Sequence, residues 1–488
     1  MYLKSTVITL FLACTLLLPV SSTAQFSTPE ISLETYGIIS SSGTTPFWLH
    51  SNRHGMFSSE GSQFLTRIQA HSSDNQLTNN LSLNYGADFI ARPGSQSTAN
   101  FNQGYIRFDA YGLFLQAGRF HNTSPIHDEE LGMGSLGVSG NAPPIPQIRA
   151  GLADWTSLPF TRDFIQIKGH IAHGWLGSER YVENVLYHEK VGHARFGGDF
   201  PLNLYGGLAH YVLWGGQHPE RGKFDASLND FFRVFKGTEG SEDAAEGSGY
   251  ALGDHLGGWD FGMFLEFEPV KFKIYRQFPL ETRDNLKLKS YMDAITGISI
   301  DFDESLNTPV QNITYEYLYT KYQDGPRRLN TFGEDDKLCI DYSGACSDRY
   351  RGNENYYNHG QYETGWVYNY RTIGNPLFIV SDSNRGVLNN RLIAHHLGVE
   401  LKLSKLKLLS KATFSRNYGK RWDNRIPDLG ESEIFTPSVD QWSFIVTGEM
   451  PVEIKSYNTT LSLSMAYDNG NLIGSHIGLL TGIKLRLD

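Results

Sequence analysis

Three kinds of residue are scarce in this chain. It has three cysteines and seven methionines in 488 residues, and its 42 lysines and arginines fall short of its 52 aspartates and glutamates, giving a formal net charge of −10. That acidic balance excludes a nucleic-acid surface, which needs clustered cations to displace counterions from phosphates. Beyond residue 24 no apolar run reaches the roughly 18 residues that a membrane-spanning helix needs, so a soluble fold or a β-barrel remains. No repeat of roughly 20–50 residues is visible, which counts against a propeller or solenoid. Nor does any long Pro/Ser/Gly linker divide the chain.

The N-terminus sets the compartment. Lys4 precedes an almost wholly apolar stretch from Val7 to Val20, and Ser22-Thr23-Ala24 places small residues where a signal peptidase reads. Residues 1–24 are therefore expected to be a signal peptide, with the mature chain beginning at Gln25. Leu12-Ala13-Cys14 resembles a lipobox, but the apolar run continues past Cys14 to Val20. The expected location is the bacterial outer membrane.

Aromatics make up 13% of the chain, with 26 Tyr, 29 Phe and 50 Gly, and the mean hydropathy is only −0.34. An outward apolar face, aromatic girdles and a polar lumen average to such values, although a soluble periplasmic sandwich shares part of this composition. The strands favour the barrel. Leu461, Leu463, Met465 and Tyr467 alternate with Ser462, Ser464 and Ala466, and Leu397, Val399, Leu401 and Leu403 alternate with Gly398, Glu400, Lys402 and Ser404. Ile477, Leu479, Ile483 and Leu485 repeat the pattern, with Asp468-Asn469-Gly470-Asn471 expected as the hairpin turn before them. Tyr111-Gly112 is a second expected turn. At roughly 25 residues per strand with its share of loop, the single domain 25–488 is expected to be an all-β outer-membrane barrel of about 18 antiparallel strands. Asp225–Phe235 reads as an amphipathic helix, capped by Asp225 or Ser227, that plugs or covers one mouth near 225–236.

After export, Cys339 and Cys346 remain, and an oxidising compartment favours a disulfide between them. The surrounding Gly333–Gly360 loop is dense in Asp, Asn, Tyr and Arg and leads to Tyr356, Tyr357, His359 and Trp366. Rings stack on sugar C–H faces and polar groups bond hydroxyls, so these four are candidate polysaccharide contacts; Trp366 can equally be an interface girdle residue. Arg53, His54 and Arg416 are hard to explain as packing and are expected to line the lumen, with Arg53 and Arg416 as further candidate polysaccharide contacts, whereas Trp48 and Trp214 read as architecture.

Enzyme-like signals are weak. His188-Glu189-Lys190-Val191-Gly192-His193 has one residue too many for the zinc-protease motif, and no metal or cofactor is expected. Asp254, Asp260, Glu266 and Glu268 can be read as a glycosidase pair or, more simply, as a charged lumen.

Pro46-Phe47-Trp48-Leu49-His50-Ser51-Asn52-Arg53 with Gly55 resembles the opening signature of the Wzi-type capsule assembly proteins, in a Bacteroidetes-like branch. Further resembling blocks follow in order. They are Gly134-Ser135-Leu136, Asn141 to Pro146, Leu158-Pro159-Phe160, His188-Glu189-Lys190, Leu213-Trp214-Gly215-Gly216 with Asp230 to Val234, Leu252 to Gly257, Tyr275-Arg276-Gln277, Gly374 to Phe378 and Ser415 to Gly419. The resemblance implies an outer-membrane barrel of about 18 strands, helices on the periplasmic side, loops closing the outer mouth, and lectin-like assembly or attachment of capsular polysaccharide. The expected partners are capsular or extracellular polysaccharide and the outer-membrane lipid and lipopolysaccharide around a monomer. An oligosaccharide channel is the alternative, and a surface glycan-modifying enzyme a further one.

Overall fold

Alternation with a period of two shapes the whole molecule. The computed structural model describes residues 28–487 apart from 73–74, 94–97, 123, 125, 239–251, 282–285, 287, 289–290, 324–329, 333–336, 340–353, 421–437 and 455–456. The expected signal peptide, Cys346 and the side chain of Cys339 lie outside the described residues.

Eighteen antiparallel strands close into a barrel. The first nine are Glu30–Ser40 (β1), Gln63–His71 (β2), Leu81–Arg92 (β3), Thr98–Ala110 (β4), Leu113–Arg119 (β5), Pro146–Leu152 (β6), Ile165–Trp175 (β7), Leu186–Phe196 (β8) and Leu202–Trp214 (β9). The second nine are Asp254–Phe267 (β10), Val270–Leu280 (β11), Ala294–Phe302 (β12), Val310–Tyr319 (β13), Leu392–Leu403 (β14), Leu406–Asn417 (β15), Val439–Ile454 (β16), Tyr457–Gly470 (β17) and His476–Arg486 (β18). Closure comes from β1, where Thr35 stands opposite Thr66 of β2 on one side and Ile483 of β18 on the other. Closure removes every free edge, as a lipid-embedded sheet requires.

Side-chain direction follows the alternation. On β17, Leu463, Met465 and Tyr467 are 53%, 58% and 45% exposed while Ser464, Ala466 and Asp468 are buried inward. Apolar side chains that would be costly to leave in water thus form an outward belt, so the wall is a membrane-spanning one and the chain sits in the outer membrane. The expected turn at 468–471 is displaced: β17 runs on to Gly470 and the chain reverses at 471–475. Asp468 is held in the strand because its carboxylate accepts the Phe47 N–H at 2.8 Å. Tyr111-Gly112 is the tight turn expected, with φ of 52° and 80°.

The connections differ sharply between the two ends. At the end holding Glu30 and Arg486, 111–112, 268–269 and 404–405 join neighbouring strands directly. The long connections, from β1 to β2, β5 to β6, β9 to β10, β13 to β14 and β15 to β16, leave and rejoin the wall at the other end. Short turns mark the periplasmic side and long loops the cell surface.

Two α-helices are described, Phe47–His50 (α1) and Leu228–Lys236 (α2), and both belong to long-loop connections. At the periplasmic end the described residues hold only the 3-10 turn Glu304–Leu306, against the helices expected there. Ser227 caps α2: its hydroxyl accepts the Asp230 N–H, Asp230 returns a bond to the Ser227 N–H, and Gly237 closes the helix at φ 64°.

Three surface loops turn inward and fill the lumen. Trp48, Leu49, Met133, Leu136, Tyr357, Trp366 and Phe378 are buried in one core with inward wall residues. Each such aromatic, fully buried, contributes about 1.5–3 kcal/mol. The plug is therefore α1 with the 120–145 and 354–391 loops; the 225–236 helix expected to plug a mouth lies elsewhere.

Candidate functional site

Polar contacts seat the plug on the wall. Trp48 Nε1 donates to Thr413 Oγ1 at 3.1 Å, and Met133 N donates to Glu316 Oε2 at 2.5 Å. Leu136 N donates to Gln277 Oε1 at 2.6 Å, and Leu131 O meets His396 Nε2 at 2.6 Å. The loops also hold each other. Asn52 Nδ2 donates to Met133 O, Asn375 Nδ2 donates to Gly134 O at 2.6 Å, and Asn141 Nδ2 donates to Thr372 Oγ1 at 2.8 Å. Blocks far apart in sequence, beginning at Pro46, Gly134, Asn141 and Gly374, thus meet at one place.

Two cavities flank this plug. An inner one of about 290 Å³ is lined by Trp48, Arg53, His54, Glu130, Lys411 and Glu449 among others. Beside it, His54 stacks on His121 with ring centroids 3.5 Å apart. Burial drives the His121 imidazole down to about 3, with the Arg67 charge adding to it, so it is neutral at cellular pH.

The second cavity, a cleft of about 910 Å³, opens at the outer mouth between the 44–63 loop, the β3–β4 hairpin and residues 369–380. Its size suits a ligand site. Three guanidiniums reach it. Arg92 donates to Met56 O at 3.0 Å, Arg119 donates to Pro144 O at 3.1 Å and to Tyr368 Oη at 3.2 Å, and Arg371 donates to His50 O at 3.0 Å and to Phe57 O. Among the described residues none of the three has a carboxylate partner, and Glu60 is the single carboxylate in the lining. Burial and the Arg92 charge hold the Arg371 guanidinium down at about 10, still protonated in any cellular medium. Carbonyl partners fix the three forks in place but leave their positive charge uncompensated.

Tyr370 stands at the rim of this cleft. Val367–Tyr368 and Arg371–Thr372 form a small hairpin whose turn residues Asn369 and Tyr370 have φ of 48° and 60°. A tyrosine in the left-handed region is strained, since such turns favour glycine there. The strained turn points the ring outward, 60% exposed. Asn100, Asn141 and Asn369 add amides to the same lining.

The residues proposed from sequence fall in different places. Tyr356, Tyr357 and Trp366 are 1%, 3% and 0% exposed. Their polar atoms are engaged inside: Tyr356 Oη donates to Asp293 at 2.7 Å, Tyr357 Oη to Leu136 O at 2.5 Å, and Trp366 Nε1 to Gly137 O at 2.7 Å. They build the plug and leave no ring face open to a polymer. His359 is half-buried, its Nδ1 accepting the Gln361 and Tyr362 N–H groups at 3.2 Å. Arg53 lines the inner cavity together with His54, Glu130 and Lys411. Arg416 does not face the lumen: Thr413 and Ser415 take the inward positions of β15, so Arg416 projects outward, where both oxygens of Asp440 bind it at 2.8 and 2.9 Å. Asp260 is inward and buried, 3.5 Å from His193, as a polar lumen requires. Sequence reading missed Arg92, Arg119, Tyr370 and Arg371. No local motif marks them, and a tyrosine in a tight turn looks like any loop aromatic until its φ is known.

No family model matches the sequence, and no curated protein does. Solved structures do match in fold. Wzi of Escherichia coli, described as an outer-membrane protein involved in group 1 capsule assembly and a carbohydrate-binding β-barrel, aligns with a TM-score of 0.56 at 14% identity, covering 94% of this chain and 84% of its own. OccK5 (OpdH) of Pseudomonas aeruginosa aligns at 0.47 and 8% identity over 96% and 100% of the two chains. OccK3 (OpdO) of the same organism aligns at 0.46 and 10% over 94% and 95%. The fold is that of outer-membrane barrels.

Proposed function

We propose that this barrel binds an anionic surface polysaccharide at its outer mouth, without chemical turnover, and so holds capsule or exopolysaccharide at the cell surface. The observation that carries the reading is Tyr370, strained and exposed at the rim of a cleft into which three guanidiniums without carboxylate partners converge. The ring offers a face to sugar C–H groups, and the forks suit a sugar carboxylate. A repeating polymer engages many copies at once, so weak single contacts add up through effective concentration.

Two alternatives are disfavoured by the same geometry. Glycoside hydrolysis needs two carboxylates across the scissile bond, and among the described residues the cleft lining holds Glu60 alone. An oligosaccharide channel needs an open lumen, and here the inward loops fill it. The Wzi-like fold agrees with a carbohydrate-binding role.

The test is gene deletion in the native host, with cell-associated and shed polysaccharide measured separately and complementation by the full chain. Release into the medium at unchanged total amount is the expected result, and a complementing Tyr370→Ala chain should restore retention only in part. Unchanged retention together with failed growth on an oligosaccharide would put the channel reading in its place.

A further inference from the structure

The face on which α2 lies decides its role. On β8, Tyr187 and Glu189 point into the lumen, where Glu189 binds Arg149 and His170. Leu186, His188 and Lys190 therefore point out of the barrel. On β9 the inward series from Asn203 to Leu213 is buried or half-buried along its length. The outward series changes along the strand: Leu202 and Leu204 are exposed, whereas Val212 and Trp214 are buried. What covers them is α2. Val212, Trp214, Val234 and Leu252 form an apolar cluster separate from the main core, with Leu186 and Phe231 packed against it. Phe231 lies 6.0 Å from His173 and 5.3 Å from His188, ring to ring, and the Lys190 ammonium sits 4.5 Å over the Phe235 ring. The helix thus rides on the outer surface of the wall near the cell-surface rim.

This placement explains a run of polar side chains on a lipid-facing surface. His173, His188, Lys190 and His210 all point outward, and polar groups facing hydrocarbon are costly. Phe231 and Phe235 of the helix cover His173, His188 and Lys190, and His210 pairs with His255 at 2.9 Å. The helix then presents its own opposite stripe, Leu228, Phe232 and Lys236, spaced four residues apart. Leu228 is 72% and Phe232 51% exposed, and Lys236 is exposed at the end of the stripe. Towards the periplasm the wall continues this surface with Ile171, Leu204 and Phe261 of the exposed belt.

We propose that α2 is an interfacial helix of the outer leaflet, with Leu228 and Phe232 among the acyl chains. Lipid is the occupant because the exposed stripe is continuous with the lipid-facing belt of the wall, where Ile171, Leu204 and Phe261 stand exposed. The rim beside β7 to β10 is then clamped to the membrane from outside, as the plug holds the wall from inside.

Photo-crosslinking in the native outer membrane tests this with the full chain. Benzoylphenylalanine is placed singly at Leu228 or Phe232, with Ile171 as the lipid-facing control and Tyr370 as the water-facing one. Unchanged heat-modifiable gel mobility shows that the barrel has folded. Adducts at 228 and 232 that migrate and stain as lipopolysaccharide, as at 171 and unlike at 370, are the expected result. Adducts to another protein or to a second copy of this chain would overturn the proposal. So would the absence of adducts at both helix positions while position 171 labels.

Discussion

Replacing Gly374 by alanine should unseat the plug. A Cβ at this position would overlap Tyr357 Oη and stand 2.5 Å from Leu136 O. The hydroxyl has nowhere free to go: it donates to Leu136 O at 2.5 Å, accepts the Asn375 N–H at 2.8 Å, and belongs to a side chain only 3% exposed. Breaking these two bonds leaves buried groups unpaired at about 1–3 kcal/mol each, and overpacking costs a further 1–3 kcal/mol or so. Allowing for partial relaxation, about 3 kcal/mol is lost from plug docking, roughly a hundredfold in the docked-to-undocked ratio. Single-channel recording in planar bilayers reads that ratio directly. The native chain should stay closed, and Gly374→Ala should show openings at about a hundredfold higher probability with the wall intact on heat-modifiable gels. Equal conductance of the two chains, with equally slow amide exchange across 354–378, would refute the claim that this contact seals the lumen.

Other consequences are checked more simply. Tyr370→Ala should weaken binding of an acidic glycan about 2- to 10-fold at unchanged barrel stability; a titration with unchanged affinity would remove Tyr370 from the site. Arg67→Ala strands Asp88, which is fully buried and, among the described residues, keeps only the Asn102 amide once the guanidinium bonds at 2.7 and 2.8 Å are gone. The expected loss is about 3–5 kcal/mol in urea unfolding from vesicles, partly recovered by adding Asp88→Ala, and strictly additive losses would contradict the coupling. Burial pushes the Asp293 carboxyl from 3.8 up to about 6, against bonds from Tyr356 Oη and the Gln323 and Tyr322 amides. A raised acid pKa favours the neutral form in the folded state, so its contribution is complete below pH 3.8 and lost as pH rises through about 6. Glu281, pushed up by burial and by the Glu354 charge, acts in the same direction. Amide exchange at 320–323 and 354–357, corrected for intrinsic rates, should therefore slow as pH falls from 7 to 4; protection that rises with pH would reverse the assigned sign.

Strand number, alternation and closure were legible because each lipid-facing residue must be apolar whatever the loops do. Leu463 and Met465 announce their face on β17 without any tertiary information. The plug was legible only as motif blocks, since Gly134, Asn141 and Gly374 are fixed by contacts spanning hundreds of residues. Two inversions show where sequence reading stops. Arg416 looks luminal by chemistry but falls on an outward position beside Asp440. The 225–236 segment is plainly amphipathic, yet amphipathicity says only that one face is buried and not which side of the wall buries it. Tyr356, Tyr357 and Trp366 have the composition of a sugar site and the burial of a core, because a large aromatic with one polar atom serves either purpose.

The outer-mouth cleft owes its chemistry to the plug, and this links the two parts of the molecule. Arg371 reaches the cleft from the plug hairpin but is positioned by carbonyls of α1 and the loop after it, His50 O and Phe57 O. Arg119 is a wall residue whose fork is aimed by Pro144 O and by Tyr368 of that same hairpin. Neither guanidinium would converge on the cleft if the lumen were empty. Every opening of the lumen would therefore dismantle the arginine cluster. On the polymer-holding function proposed above, filling the lumen and presenting the arginines are one structural act. The strain at Tyr370 is affordable for the same reason, since the hairpin that carries it is clamped to the wall by Arg119 and to α1 by Arg371.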